Sequence, residues 1–319
     1  MKKLLLILCT IFVVCASLTA QEEEAAKPFQ DHVLTMLGFK ALQIEEEDYV
    51  LSPSVNLQYM HIKNEGIVSK QPDAIVIGAG YSLDHYTKGL GPDEVANFHG
   101  INLMGNVAAG KNSFMVMLAS SGEVPFSSIN TITAGLMYTR QLVNTDNMSF
   151  TAGAGVIAGD LGLKIKDFDI YCVPLPLFSF DYHNDYFAGG VSMMGLPTVS
   201  ILLFPKAPVR FNGNCGMAGF SSIRDLTFDC ALTGYPLWNT KVKELIAVSA
   251  GVMNTVKTSV LKDKTKYSYQ YYSVYGEINA TFVTFRCGYN FNGEKRIDKD
   301  VNGDMYKGLF ASAQAMFMF

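Results

Sequence analysis

The last twelve residues of this 319-residue chain limit its fold more than any other segment. They read GLFASAQAMFMF, and the intervening positions include Ser312 and Gln314. Every second residue counted back from the end is apolar: Phe319, Phe317, Ala315, Ala313, Ala311 and Leu309. A period of two with one apolar face predicts a β-strand that contacts an apolar environment on one side only.

The N-terminus indicates export from the cytoplasm. Lys2 and Lys3 precede an apolar run at 4–14, and a small-residue segment ends at Ala20, which is the pattern of a cleaved secretory signal peptide. The run is too short to cross a bilayer as a helix, and no later segment offers enough consecutive apolar residues. We therefore divide the chain into a signal peptide at 1–20 and one domain at 21–319.

Composition and ending together favour a membrane-spanning barrel. The chain is 49% hydrophobic with 28 glycines and only 17% charged residues, which suits strands that each carry a weak alternating signal. An apolar final strand ending in Phe319 resembles the closing strand of outer-membrane β-barrels, which their assembly machinery reads. We predict an all-β transmembrane antiparallel barrel of about 14 strands, with a range of 12–16.

The location and partners follow from that prediction. We expect the protein in the outer membrane of a Gram-negative-type bacterium, with outer-membrane lipids and the barrel-assembly machinery as its partners. Without Lys2 and Lys3 the chain has 23 basic and 29 acidic residues, a formal charge of about −6. Because no basic stripe is present, nucleic-acid binding has no electrostatic support.

The hairpin nearest the C-terminus has the clearest pattern. Apolar residues fall on even numbers along 272–278 and on odd numbers along 283–291. This change of phase predicts a two-residue turn at Ala280-Thr281 that pairs Ile278 with Val283.

The other connections divide by length. Short turns are expected on the periplasmic side and longer loops outside. Short turns are predicted at 109–112, 144–147, 181–185 and 205–208, and longer loops at 86–97, 121–128, 159–167, 221–225, 259–266 and 293–307. The segment 31–44 fits a first strand, but its apolar residues also fit one face of a helix, so both assignments stay open.

The stretch from Val173 to Phe211 carries a family resemblance. A Val-Pro-Leu-Pro-Leu strand leads to Phe-Asp-Tyr, and a second strand beginning at Phe187 ends on Gly-Leu-Pro197. This hairpin resembles the central hairpin of a family of uncharacterised Gram-negative outer-membrane barrels, a domain of unknown function. The resemblance implies fold and location, and it supplies no catalytic residues.

Four ionisable residues are predicted to face the barrel interior: Asp84, Asp229, Glu277 and Arg286. Glu277 and Arg286 would be diagonal neighbours on adjacent strands, within reach of an ion pair. Such a group either forms a constriction that selects solutes in a pore or a polar network that fills a narrow barrel. The sequence does not separate these two interpretations.

A partial calcium motif lies before the final strand. Asp298, Asp300, Asn302 and Asp304 follow the ligand spacing of a calcium loop, and Gly303 occupies its bend position. Leu309 stands where a bidentate Glu is expected, so the alternative is a solvated loop that turns at 302–303. Ca²⁺ is the one cofactor considered.

No catalytic group stands out. None of the serines has a hydrolase context, and the His-x-Ser-Asn pattern of the lipid A deacylase barrels is absent. Four cysteines follow the signal peptide, and we expect free thiols because Cys215, Cys230 and Cys287 alternate with apolar residues. We expect a non-enzymatic barrel, most simply a small porin or channel for passive solute uptake. The alternatives are a structural or surface-binding barrel without transport, and a lipid-modifying enzyme.

Overall fold

The computed structural model shows a chain built almost wholly of β-strands. It describes residues 29–45, 48–63, 73–90, 93–165, 168–218, 226–297, 300–305 and 307–319. The predicted signal peptide at 1–20 lies outside these residues. Within them, no helix is long and apolar enough to cross a membrane.

Seventeen strands follow one another in one antiparallel sheet. Their bounds are β1 Phe29–Glu45, β2 Asp48–Lys63, β3 Ala74–Leu90, β4 Val95–Ala109, β5 Asn112–Gly122, β6 Ile132–Asn144, β7 Met148–Ile165, β8 Phe168–His183, β9 Phe187–Met193, β10 Pro197–Leu203, β11 Val209–Met217, β12 Leu226–Gly234, β13 Ile246–Val260, β14 Lys266–Ala280, β15 Val283–Ile297, β16 Asp300–Met305 and β17 Gly308–Met318. A short 3₁₀ turn, Ile129–Thr131, precedes β6. Sixteen strands form a closed ring, and β16 is a short extension paired with β15.

The ring closes between the first and last strands. β1 pairs with β17 from Leu34↔Met318 to Leu42↔Phe310, and Val33 and Phe319 exchange two backbone hydrogen bonds of 2.9 Å. The predicted closing strand is confirmed, and 29–45 is a strand, not a helix. Sixteen strands fall inside the predicted range and exceed its central value by two.

The outward face is an apolar belt. Large side chains that alternate along the strands are exposed there, including Ile77 at 58%, Leu232 at 58%, Phe285 at 57% and Leu309 at 68%. Exposing this much apolar surface in water is unfavourable, but it matches the hydrocarbon of a bilayer. The alternation predicted from sequence thus corresponds to a barrel wall with an apolar outer face and a more polar inner face.

The two ends of the barrel differ. The start of β1, the end of β17 and the turns predicted to be short lie at one end, which we call the terminal rim, together with the longer connection 235–245. The other end is the loop rim. The short turns fall within one to three residues of their predicted bounds: 110–111, 145–147, 184–186 and 204–208. The longer predicted loops lie at the loop rim, but some of them were predicted wrongly in extent. β7 continues to Ile165 and so takes up most of 159–167, while β15 continues to Ile297 and β16 forms within 293–307.

The register of the last hairpin was predicted wrongly by two residues. The turn is Thr281-Phe282, and Ile278 pairs with Phe285 instead of Val283. A shift of two leaves every side chain on its predicted face, so alternation alone does not separate the two registers. The observed turn is held by Phe282, whose carbonyl accepts a hydrogen bond from the Met316 amide at 2.8 Å.

The cysteine prediction is confirmed. All four described cysteines, Cys172, Cys215, Cys230 and Cys287, are free. The hairpin that carries the family resemblance is formed by β8 and β9, which pair from Phe178↔Met193 to His183↔Ala188.

Candidate functional site in the barrel lumen

A continuous row of polar residues crosses eight strands on the inner face. Strand pairing places them side by side from β11 through β15 to β17, β1 and β2: Arg210, Thr233, Ser249, Glu277, Arg286, Ser312, Lys40 and Ser52. Directly opposed side chains in antiparallel strands lie about 5 Å apart at their Cβ atoms, so neighbours in the row interact. This polar row is the frame of the candidate site.

Arg286 is the centre of one ionic cluster in the row. Its guanidinium lies 2.7 Å from the Glu277 carboxylate and 3.2 Å from that of Asp229. It also stacks 4.2 Å from the ring of Tyr275, whose hydroxyl donates to Asp229. Because Glu277 is directly opposite Arg286, the pair is closer than the diagonal arrangement predicted from sequence.

A second cluster bridges the lumen. Lys257 on β13 reaches Asp84 on β3 at 2.6 Å and the Ser52 hydroxyl on β2 at 3.1 Å. Ser52 also donates to Asp84 at 2.6 Å. The lysine and aspartate side chains are each 23% exposed, so the contact is a partly desolvated ion pair between opposite parts of the wall.

An apolar cluster rich in aromatic residues, which we call the aromatic plug, fills the lumen on the loop-rim side of these charges. Tyr86 is fully buried and lies in a T-shaped contact with Phe98, 5.4 Å between ring centroids. The other large members of the plug are Leu42, Ile44, Val50, Leu90, Met253, Leu261, Tyr267, Tyr269, Tyr271, Tyr275 and Phe310. The plug therefore blocks this side of the barrel.

The tip of the β13–β14 hairpin, which we define as 260–266, crosses the loop rim to the opposite wall. The carbonyl of Val260 accepts from the Glu123 amide at 2.9 Å, and the Glu123 carboxylate accepts from the Lys262 amide at 2.8 Å. Lys266 pairs with Asp160 of β7 at 2.7 Å. These contacts divide the loop-rim mouth into a plugged side and an open side.

The open side is lined by the inner face of β9 to β12 and by the terminal-rim part of β8. The loop-rim part of β8 belongs to a second buried apolar cluster, formed by Met137, Ile157, Leu175 and Leu177. Pairing aligns Asp181, Gly190, Ser200, Asn214 and Asp229 in one row. A second polar row beside it contains Ser179, Ser192, Thr198 and Thr227. We call these two polar rows the open wall. Several of their inward side chains are exposed to solvent.

Two cavities adjoin the polar row below the plug. One of about 420 Å³ is lined by Lys40, Ser54, Asn56 and Ser312 among others. A second, of about 270 Å³, shares Lys40 and Ser312 with it and includes Arg286. The first cavity is called the vestibule below.

The structure places all four sequence-predicted interior residues on the lumen face, but in two clusters. Asp229, Glu277 and Arg286 meet, whereas Asp84 belongs to the bridge made by Lys257. Sequence reasoning missed Lys257 and also Lys40. Lys40 lies in the segment whose strand or helix character was open, and Lys257 lies in a strand for which no facing was assigned.

The predicted calcium ligands are not tested by the structure. Asp298 lies outside the described residues, as do the side chains of Asp300, Asn302 and Asp304. The backbone of 300–305 forms β16, which pairs with β15 from Gly293↔Met305 to Ile297↔Asp300. Among the described residues, no group of three or more His, Cys, Asp or Glu side chains is arranged to hold a metal.

A closed ring of sixteen antiparallel strands with an outward apolar belt and a polar interior defines an outer-membrane β-barrel protein. No family model matches the chain, and no curated protein matches it. The resemblance of the β8–β9 hairpin is therefore to this broad class.

Several solved outer-membrane structures are similar to the chain at low levels. A bacterial polysaccharide outer membrane secretin shows 11% identity and a TM-score of 0.39, with 90% of this chain and 98% of that chain covered. OccAB2 of Acinetobacter baumannii shows 8% identity and a TM-score of 0.39, over 93% of this chain and 100% of that one. OmpT of Vibrio cholerae shows 9% identity and a TM-score of 0.34, with 93% of this chain and 100% of that chain covered. At these values the similarities assign no function.

Proposed function

We propose that the protein is a passive channel for small polar solutes, and that its water path follows the open wall. The observation that supports this proposal is the contrast between the two sides of the lumen. On the plugged side, inward residues such as Tyr86 and Tyr271 are 0–1% exposed. On the open wall, the inward side chains of Thr198, Ser200 and Asn214 are exposed.

The chemistry of the open wall suits weak, unselective passage. Its hydroxyl and amide groups exchange hydrogen bonds with water and with polar solutes at little net gain, so nothing is held tightly. Asp181 and Asp229 stand at the two ends of the row. The exposed carboxylate of Asp181 favours neutral or cationic solutes over anions along this path, whereas the charge of Asp229 is offset by Arg286.

Planar-bilayer recording tests the proposal directly. We expect discrete current steps from the purified barrel, with higher permeability to cations than to anions. Ser200→Trp places a bulky ring in the path, so we expect the single-channel current to fall by about half or more.

The matched control is Ile201→Trp, one residue away on the lipid-facing side and 39% exposed in the parent chain. It adds the same ring outside the lumen, so the current should not change. Silence over repeated insertions of folded barrel, or equal currents from Ser200→Trp and the parent protein, would contradict the proposal.

A further inference from the structure

The vestibule contains a cation that has no carboxylate partner. Lys40 projects inward from β1, and its ammonium donates to the Tyr271 hydroxyl at 2.9 Å. It also lies over two rings on the plug side, 5.5 Å from the Tyr271 centroid and 5.7 Å from that of Phe310. Within the described residues no ion pair involves Lys40, whereas Arg286 pairs with both Glu277 and Asp229 and Lys257 pairs with Asp84.

Charge is distributed unevenly between the two cavities. Glu277 and Arg286 both line the smaller cavity, where their charges offset each other. Lys40 is the single charged residue that lines the vestibule. An ammonium carries three N–H donors and Tyr271 accepts one bond, so donors remain for a ligand on the cavity side.

The remaining lining is made for hydrogen bonding. Ser54, Asn56, Ser312 and Gln314 line the vestibule, and the first three have no protein hydrogen-bond partner in the described structure. Gly38 allows the Ser54 hydroxyl to lie close to β1, since a Cβ at that position would be 2.5 Å from the Ser54 Oγ. The volume of about 420 Å³ falls in the range of about 300–1,000 Å³ that is typical of small-molecule sites.

The vestibule is blocked towards the loop rim and accessible from the other end. The plug residues Leu42 and Phe310 continue β1 and β17 above it and are 3% and 4% exposed. Below it, on the same inner face of β17, Met316 is 39% and Met318 is 57% exposed. A ligand would therefore enter from the terminal rim.

We propose that the vestibule binds a small anion carrying hydroxyl groups, of the size and chemistry of a sugar acid. Lys40 would bind the carboxylate, and the serine hydroxyls and the Asn56 and Gln314 amides would bind the hydroxyl groups. The site is separate from the open wall, so it does not depend on conduction.

Isothermal titration of the purified, refolded barrel with D-gluconate tests this site, with D-glucose as the neutral comparison. Gluconate should bind and glucose should bind at least about tenfold more weakly, because a charge-assisted hydrogen bond is lost. Lys40→Met should weaken gluconate binding to the glucose level, and Lys40→Arg should retain most of it. Lys243→Met, at the terminal-rim turn, is the control for loss of one lysine and should bind like the parent.

Several results would overturn the site: no gluconate binding, equal affinity for gluconate and glucose, or unchanged binding by Lys40→Met. Folding of each variant is checked by its heat-dependent mobility in gels. If Lys40→Met does not fold, Ser54→Leu replaces it, because a leucine fills the space over Gly38 and leaves the lysine in place. Full gluconate binding by Ser54→Leu would then overturn the proposal.

Discussion

The charged residues of the lumen show how a single side chain is held in a barrel interior. Arg286 has two carboxylate partners and a tyrosine ring, and its side chain is 26% exposed. Removing one member of a partly desolvated ionic cluster leaves the remaining charges uncompensated. The free energy of unfolding then falls by more than the ion pair itself contributes to it. The effect of a substitution should therefore depend on which member is removed.

Arg286→Met leaves Asp229 and Glu277 facing each other without a cation. We expect the free energy of unfolding to fall by about 2 kcal/mol or more, measured by urea titration of the barrel in lipid vesicles. Lys206→Met is the control, because Lys206 and Asp185 form a surface pair that is 74% and 68% exposed. That control should change stability by no more than about 0.5 kcal/mol. Equal free energies of unfolding for the two variants would show that the Arg286 cluster does not stabilise the barrel.

At the scale of elements, the β13–β14 hairpin differs from its neighbours. Most hairpins of the ring pair only with the strands on either side. This one also contacts β5 and β7 across the loop rim, through Glu123 and Asp160. Its long strands allow this reach, since β13 and β14 have 15 residues each while β9 and β10 have 7.

The double variant Glu123→Ala/Asp160→Ala removes the Glu123 and Asp160 carboxylates that bind the hairpin tip. We expect faster amide hydrogen exchange at 260–266, because the tip then opens without breaking these bonds. Exchange is read by mass spectrometry of the barrel in micelles. Glu244→Gln on the terminal-rim turn removes a comparable carboxylate 2.5 Å from Arg210 and should leave exchange at the tip unchanged. Unchanged exchange in the double variant would mean that the strands alone hold the tip.

At the scale of the whole molecule, closure of the barrel depends on the pairing of β1 with β17, which we call the seam. Closure removes the two exposed strand edges, which would otherwise leave backbone groups unpaired in lipid. The seam also completes the polar row, because Lys40 on β1 is next to Ser312 on β17. The interior site thus exists only in the closed barrel.

A disulfide across the seam tests its register. Leu34 and Met318 are Cα partners, and the adjacent pair Val33–Phe319 exchanges both hydrogen bonds, so 34–318 is a non-hydrogen-bonded pair with close Cα atoms. In a background with the native cysteines changed to alanine, Leu34→Cys/Met318→Cys should oxidise to an intrachain disulfide, seen as a mobility shift without reductant. Leu34→Cys/Met316→Cys is two residues out of register and should not. A disulfide in the 34/316 variant and none in the 34/318 variant would mean that β1 and β17 pair in a different register.

How much was predictable differs between the fold and the site. Alternation in 272–278 and 283–291 assigned every side chain to its correct face, and the location of the short turns followed from it. The register of that hairpin was missed, because a shift of two preserves the pattern. The inward tyrosines 267, 269 and 271 were a readable signal for the plug, but a sequence does not show what lies across the lumen.

The sequence by itself determined the class of this protein, since a period of two needs only local geometry and an apolar environment on one side. It also placed Asp84, Asp229, Glu277 and Arg286 on the inner face. Only the tertiary structure decided that Lys257 crosses to Asp84, that the plug closes one side, and that Lys40 is the single charged residue lining the vestibule. Those contacts join strands far apart in the chain, and barrel closure and curvature, which no local pattern encodes, bring them together.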